Sequence, residues 1–311
     1  MSCSSETHVT LIGAGTIGIS LAALHLTHLP SPECLTIVDP RPDLAAIIES
    51  QLQKIVPQHL RPQIAKVNLT TNLAGAVRDA TIVQESGPED LSFKRSLWAE
   101  VEKHAPPHAL FWTSTTGIPA SLQNESMQDK TRLVVVHPFN PPHLLPLLEI
   151  VPAPETSQSV IDATLSFWHD RGRQPVLIRK EIKGFVAGRL AWALLREAIH
   201  LVNEDVVTVE ELDKIMENSM GPRWAYAGPF KSFHTGGGPG GLEGLLKNVG
   251  GSVQACWDEA GKINIGENWE HKVFSQTREA YKEISLDERD RAMRRILNAV
   301  AEERSRPSRD G

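Results

Sequence analysis

The chain has 311 residues, 41% of them hydrophobic, with 32 Lys and Arg against 38 Asp and Glu and a formal net charge of -6. That length can bury one large core or two, and a mildly acidic balance offers no global field for nucleic acid or an anionic membrane surface. Three cysteines, Cys3, Cys34 and Cys256, make neither a paired framework nor a metal-ligand spacing, which points to a reducing compartment such as the cytoplasm and to no bound metal. The segment from Met1 to His8 is polar rather than signal-like, and no apolar run approaches the ~20 residues needed to span a bilayer.

Strands and helices alternate through the first half. His8 to Ile12 reads as a buried strand and Thr16 to His28 as a helix with Ile17, Leu21 and Leu24 near one stripe. Cys34 to Val38 is a second strand ending at Asp39, followed by a helix over Asp43 to Gln53. Thr81 to Gln84, Leu110 to Thr113 and Leu133 to Val136 are further strands, so a doubly wound parallel sheet of Rossmann type is expected over residues 1–184.

After Gly184 no strand pattern follows, and an all-helical domain is expected over residues 185–311. Phe185 to Leu201 reads as a long amphipathic helix. Thr208 with Glu211, and Ser285 with Glu288, have capping-box spacing and open two more helices. Gly236 to Gly241 reads as a loop; with no Lys-Ser/Thr after it, it is no P-loop. Trp192, Trp257 and Trp269 are expected to pack helices, and the tail from Ser305 to be disordered.

Gly13-Ala14-Gly15-Thr16-Ile17-Gly18 follows the first strand and opens the first helix. Gly13 permits the tight turn, Gly15 lets a pyrophosphate approach the backbone, and Gly18 lets helix and strand pack closely. The free amides around Thr16 and Ile17 would face the phosphates. Asp39, closing the second strand, can accept from ribose hydroxyls and would repel a 2′-phosphate, so the expected cofactor is NAD; Arg41 nearby tempers that preference.

His137 ends an apolar strand in His137-Pro138-Phe139-Asn140-Pro141-Pro142, and Glu149 lies twelve residues on. Imidazole titrates near neutral pH and can take a hydroxyl proton, and a carboxylate on its second nitrogen would fix the tautomer. On spacing alone an ordinary loop histidine is the commoner reading.

These segments resemble the 3-hydroxyacyl-CoA dehydrogenase family from His8 to about Gly241, and His137, Asn140-Pro141 and Glu149 match its pattern. The resemblance implies that His137 is the general base, Glu149 its partner, and Glu89 and Lys94 neighbours of the nicotinamide half of NAD. It also implies a homodimer through the helical domain. Within the family, Glu85 to Leu91, His137 to Pro142 with Val151-Pro152, and Gly221 to Ala225 with Gly228-Pro229 are most similar to the L-gulonate 3-dehydrogenase (lambda-crystallin) and L-carnitine dehydrogenase branch. Two positions depart. The family's active-site serine falls on Thr116, whose hydroxyl can still donate to the substrate oxygen. Its active-site asparagine falls on Gly188, which has no side chain to offer.

On the substrate side Arg223 is a candidate for a carboxylate, with a surface ion pair as the alternative. Trp224 and Tyr226 are candidates for an aromatic wall or a cation–π site; His143 and His234 are candidates by proximity alone. The expected function is NAD-dependent oxidation of a small 3-hydroxy acid to the 3-keto acid. The alternatives are an acyl-CoA substrate with Lys54 and Lys66 near the CoA phosphates, a related C–N oxidoreduction, and a non-catalytic NAD-binding structural or sensor protein.

Overall fold

The structure, a computed structural model, describes residues 7–282 and 285–306. Expectations for the first six residues, Cys3 among them, and for the tail after Arg306 lie outside the described residues. By contacts the chain separates into two compact units, Met1–Arg189 and Leu190–Gly311, with the division falling inside a helix.

In the first unit β1 (Val9–Ile12) leads to α1 (Thr16–Leu26), β2 (Leu35–Val38), α2 (Leu44–Ile55), β3 (Asn68–Thr70), α3 (Leu73–Ala76), β4 (Ile82–Glu85), α4 (Leu91–His104), β5 (Leu110–Thr113), α5 (Ala120–Gln123), β6 (Leu133–Pro138), β7 (Leu147–Pro152), α6 (Gln158–His169) and β8 (Gln174–Leu177). The strands form one sheet in the order β3-β2-β1-β4-β5-β6-β7-β8. All pairs from β3 to β6 are parallel, whereas β7 runs antiparallel to β6 and β8 parallel to β7. The expected parallel sheet is therefore mixed. The connection 139–146 has eight residues, too few for the crossover a parallel neighbour needs, so the chain doubles back.

The core follows the two-residue period of a strand covered on both faces. Val134 and Val136 of β6 join Leu11, Ile37, Trp112 and Trp168 on one face. Leu133 and Val135 join Val83, Trp98, Phe111 and Phe185 on the other. Running β1-β2-β3 to one side and β4-β5-β6 to the other, the order reverses between β1 and β4, which is where such sheets bind ligands at the carboxyl ends of their strands.

The second unit is helical: it holds most of α7 (Ala187–Asn203), then α8 (Val209–Glu217), α9 (Met220–Tyr226), α10 (Pro229–Gly236), α11 (Gly241–Glu259), α12 (Glu270–Ala280) and α13 (Leu286–Ser305). Thr208 and Glu211 form a reciprocal capping box on α8, and Ser285 caps α13. Two expectations change. The helix begins at Ala187 rather than Phe185, because Gly184 and Phe185 sit at φ 73° and 48° and turn the chain first. The glycine segment is no open loop: α10 ends at Gly236, one 3₁₀ turn covers Gly238–Gly240, and α11 starts at Gly241. Gly237 has no room for a side chain there, since a Cβ would lie 1.8 Å from the Gly241 carbonyl oxygen. Trp269 is buried, as expected of a packing residue, but Trp192 and Trp257 stand exposed. Among the described residues no helix is long and apolar enough to cross a membrane.

Candidate active site

The glycine turn between β1 and α1 has three different tasks at its three glycines. Gly13 is at φ +99°, and a Cβ on it would come within 2.7 Å of the Ser86 carbonyl oxygen, so the turn rests directly on the chain leaving β4. A Cβ on Gly18 would lie 2.0 Å from the Gly13 carbonyl oxygen, which is the close helix–strand approach. Gly15 faces open space with nothing within 4 Å of a Cβ. Gly15 and Thr16 are exposed, Ile17 is half-buried, and no side chain caps α1. Open amides at a helix start suit a pyrophosphate. Asp39 braces the turn: its Oδ2 accepts from the Ala14 amide at 2.8 Å and its Oδ1 from the Arg41 amide at 3.0 Å. The Arg41 Nε lies 3.4 Å from the same carboxylate. This arrangement fits a dinucleotide whose ribose meets Asp39.

His137 and Glu149 are directly opposed across the antiparallel β6–β7 pair, which is why a twelve-residue spacing brings them together. The Nδ1 of His137 lies 2.8 Å from Oε2 of Glu149. The other oxygen, Oε1, accepts from the backbone amides of Val186 at 2.8 Å and Ala187 at 3.0 Å, at the start of α7. Burial pushes the Glu149 carboxyl up, but the bonds from His137 and from the Ala187 and Val186 amides outweigh it and hold the group below the usual carboxylate range. An ionised carboxylate only accepts, so Nδ1–H donates to it, and the neutral form of the imidazole then has its lone pair on Nε2. Among the described residues no hydrogen bond engages Nε2. The Phe185 ring, fully buried, packs 5.3 Å from the imidazole at an interplanar angle of 51°.

Thr116 lies on the turn after β5 and is exposed. Glu89 folds onto that turn, and Lys94 on α4 sits behind it. Lys94 is only 1% exposed, and its ammonium is taken by both oxygens of Glu85, at 2.7 and 2.9 Å. Gly188 is buried in the first turn of α7, immediately after the two amides that Glu149 accepts. Arg223 and Trp224 belong to α9 in the helical unit, where Arg223 lines a groove and Trp224 is exposed.

Three residues that sequence reasoning passed over matter here. Glu85 closes β4 and receives Lys94, the Thr113 hydroxyl at 2.8 Å and the Gly87 amide at 2.6 Å; an acid ending a buried strand is the signal that could have marked it. Arg173 pins the loop after His137 by donating to the Pro142 carbonyl at 2.6 Å and to that of Leu145, and burial lowers its guanidinium to about 10. Ser20 on α1 receives the His143 amide at 3.0 Å and bonds its ring at 2.8 Å, so that loop is also tied to the dinucleotide helix. Arg173 and Ser20 gave no sequence signal, because both act on backbone or on a partner far along the chain.

A Rossmann-type sheet with an open glycine turn and a histidine–carboxylate pair at its carboxyl edge defines a class of nicotinamide-dependent dehydrogenases. Residues 8–182 match the 3-hydroxyacyl-CoA dehydrogenase NAD binding domain and residues 184–262 the C-terminal domain of the same name, and the chain belongs to the 3-hydroxyacyl-CoA dehydrogenase family. It is an NAD-dependent dehydrogenase acting on a CH–OH group. The L-carnitine dehydrogenase of Oceanobacillus iheyensis is 32% identical over 93% of this chain and 95% of its own length. That of Mesorhizobium japonicum is 37% identical over 79% of this chain and 69% of its own length. A 3-hydroxyacyl-CoA dehydrogenase of Gibberella moniliformis is 31% identical over 88% and 85%. Among solved structures, 5-formyl-3-hydroxy-2-methylpyridine 4-carboxylic acid 5-dehydrogenase, an NAD+ dependent dismutase, superposes with a TM-score of 0.70 at 22% identity, over 96% of this chain and 98% of that one. At that identity the likeness speaks for the fold.

Proposed function

We propose that this chain oxidises a short free 3-hydroxy acid, carnitine-like or gulonate-like, to the 3-keto acid. The observation that carries the chemistry is the 2.8 Å bond between His137 Nδ1 and the Glu149 carboxylate, with no hydrogen bond among the described residues engaging Nε2. The relatives named for L-carnitine favour the small substrate. The Gly13–Gly18 turn, with Thr16 and Ile17, takes the pyrophosphate of NAD and Asp39 its ribose; bound NAD supplies the hydride acceptor. His137 Nε2 receives the hydroxyl proton as the C–H hydride leaves, so the imidazole becomes a cation and the C–O bond a carbonyl. Glu149 stabilises that cation through the bond it already makes. The Thr116 hydroxyl donates to the substrate oxygen. Gly188 leaves space where the family carries an amide, and the substrate's own bulk fills it. In the helical unit Arg223 is the candidate for the substrate carboxylate and Trp224 for a quaternary ammonium.

The test is NADH formation on L-carnitine, L-gulonate, 3-hydroxybutyrate and 3-hydroxybutyryl-CoA. Higher kcat/KM on either of the first two supports the reading. Preference for the thioester assigns the chain an acyl-CoA substrate, and silence on all four overturns it.

For assembly we infer a homodimer formed through the helical unit. Supporting this, a groove of about 870 Å³ between α10 and α11 is lined by apolar side chains such as Phe233, Leu245, Leu246 and Val249. At its edge Phe230 is 78% and Trp257 67% exposed. Apolar area of this kind marks association surfaces more often than bare solvent-facing ones.

A further inference from the structure

Among the described residues three that are not glycine have a positive φ: Phe185 at 48°, Asp205 at 59° and Asn268 at 71°. Aspartate and asparagine tolerate that region. A bulky aromatic does not, so its surroundings must hold Phe185 there. Strained backbone of this kind gathers where a functional site is set in place. Gly184, at φ 73°, takes the same left-handed step just before it, and the two together turn the chain into α7. This turn is seated on the sheet unit. A Cβ on Gly117, in the turn after β5, would lie 3.5 Å from the Gly184 nitrogen, and the Phe185 amide donates to the Ile182 carbonyl at 3.2 Å. The Phe185 ring joins the core cluster of Val135 and Phe111 and is 0% exposed.

The left-handed step divides its contacts between two partners. The ring lies 5.3 Å, centroid to centroid, from the His137 imidazole. The next two amides, of Val186 and Ala187, both donate to Oε1 of Glu149, at 2.8 and 3.0 Å. Oε2 of the same carboxylate meets His137 Nδ1 at 2.8 Å. Three consecutive residues therefore touch both members of the pair, one through its side chain and two through the backbone. A hydrogen bond tolerates bending by about 30°, so the bond at Nδ1 alone leaves the tilt of the imidazole loosely set. A packed ring beside it restricts that tilt, and with it the direction of Nε2. We propose that Phe185 is a positioning residue for His137, its left-handed backbone kept because the ring it places against the imidazole aims Nε2. This rests on the reading that His137 is the base.

The test compares Phe185→Leu, which removes the ring, with Phe185→Tyr, which keeps it. Phe111→Leu is the control: Phe111 is equally buried in the same cluster but stacks on Trp98. Each variant is read by kcat, KM, NAD Kd, melting temperature and the NMR resonance of the His137 Nδ1 proton without substrate, assigned by its loss in His137→Gln. Phe185→Leu should lower kcat about 10- to 100-fold, the range for a misaimed group, with KM and NAD Kd within about twofold. Its Nδ1 proton should exchange with water at least about tenfold faster, as expected where a local cover is loosened. Phe185→Tyr should keep the resonance and most of the turnover, although its buried hydroxyl lowers the melting temperature. Phe111→Leu should lose melting temperature much as Phe185→Leu does, while kcat and the resonance stay as in wild type. A kcat that follows melting temperature across all three would make Phe185 a packing residue and overturn the proposal. An unchanged Nδ1 resonance in Phe185→Leu would do so as well. Should Phe185→Leu not fold, Phe185→Met, a flexible filler of the same space, carries the same expectations. If the wild-type enzyme oxidises no hydroxy acid, the functional reading fails, and the resonance still decides whether Phe185 holds the imidazole.

Discussion

The two units treat their large side chains in opposite ways. In the sheet unit Trp98, Trp112, Trp168 and Phe111 are fully buried, and several buried polar side chains are paired with one another: His25 with Gln84 at 2.7 Å, Gln84 with Ser114 at 3.1 Å, Lys94 with Glu85. In the helical unit Trp192, Leu195, Phe230 and Trp257 are exposed, and the buried apolar residues are few, with Val202, Ala227 and Trp269 among them. A unit that closes its own core can hold a catalytic pair with fixed geometry. A unit with open apolar faces suits the association proposed for it. The chemistry should therefore respond to changes in the first unit without a change of assembly, and assembly to changes in the second without a change of cofactor affinity.

The largest effect should come from the base. His137→Ala is expected to lower turnover by roughly 10²–10⁴-fold, the range for positioned acid–base catalysis. NAD affinity and sedimentation should not move. A loss of dimer in this variant would break the separation of tasks between the units.

Glu149→Ala should combine two losses. The imidazolium loses its stabilising carboxylate, and the Val186 and Ala187 amides lose their acceptor. Both bonds are part-buried, so each donor left without a partner costs at most about 1–3 kcal/mol, and the urea midpoint should fall along with turnover. Glu149→Gln keeps an acceptor oxygen and should recover most of the stability but not the rate. Equal stability loss in both variants would mean that charge, not hydrogen bonding, holds the start of α7.

The buried polar chain gives the sheet unit its own pH response. Burial lowers the His25 imidazole from its ordinary value near 6.5 to about 4, with the Gln84 bond opposing that shift. Above pH 6.5 both folded and unfolded forms are neutral. Below it the unfolded chain takes the proton first, so stability falls by ~1.4 kcal/mol per pH unit until the folded form also protonates near pH 4. Glu149 contributes in the same direction only at lower pH, because its carboxyl is held below the usual range. Urea unfolding at pH 7, 6 and 5 reads the slope, and His25→Gln should flatten it by one proton. An unchanged slope would place the titration elsewhere.

Phe230→Asp tests the other unit. A charge at the edge of the apolar groove should shift sedimentation at micromolar concentration toward the 34.3 kDa species while leaving NAD affinity as it was. Wild-type protein that already sediments at that mass would remove the contrast drawn between the units.

What was legible in the sequence follows the range of the interactions. The glycine turn, Asp39 and the Thr208 cap are local, and each was readable from spacing. His137 was marked by the strand before it, but β7 was not, since Leu147 to Pro152 carries no clear alternation, so the cross-strand geometry behind the His137–Glu149 pair was visible only in the fold. The Glu85–Lys94 pair joins a strand end to a helix and has no spacing rule. Phe185 reads as a helix start because its neighbours do; its buried contact with the imidazole overrides that local tendency. The glycine segment 236–241 reads as a loop because composition says nothing of the tight approach of Gly237 to Gly241.

The smallest expected effect sharpens the comparison at the point where the units meet in sequence. Gly188 is buried in the first turn of α7, next to the amides that Glu149 accepts. Glycine in a helix is unfavourable by ~1 kcal/mol relative to alanine, so its presence asks for a steric reason. If the reason is the substrate, Gly188→Asn should lower kcat/KM for the native substrate several-fold, an amount typical of a filled pocket of side-chain size, while smaller 3-hydroxy acids gain and the melting temperature holds. If the reason is packing of the backbone, the same variant should lose stability and fall equally on every substrate. The first outcome is the one expected, because the restored amide can again donate to a small substrate's oxygen beside His137. A thermal melt run with two substrates of different bulk separates the two, and a variant with unchanged selectivity and unchanged melting would show that the position faces neither.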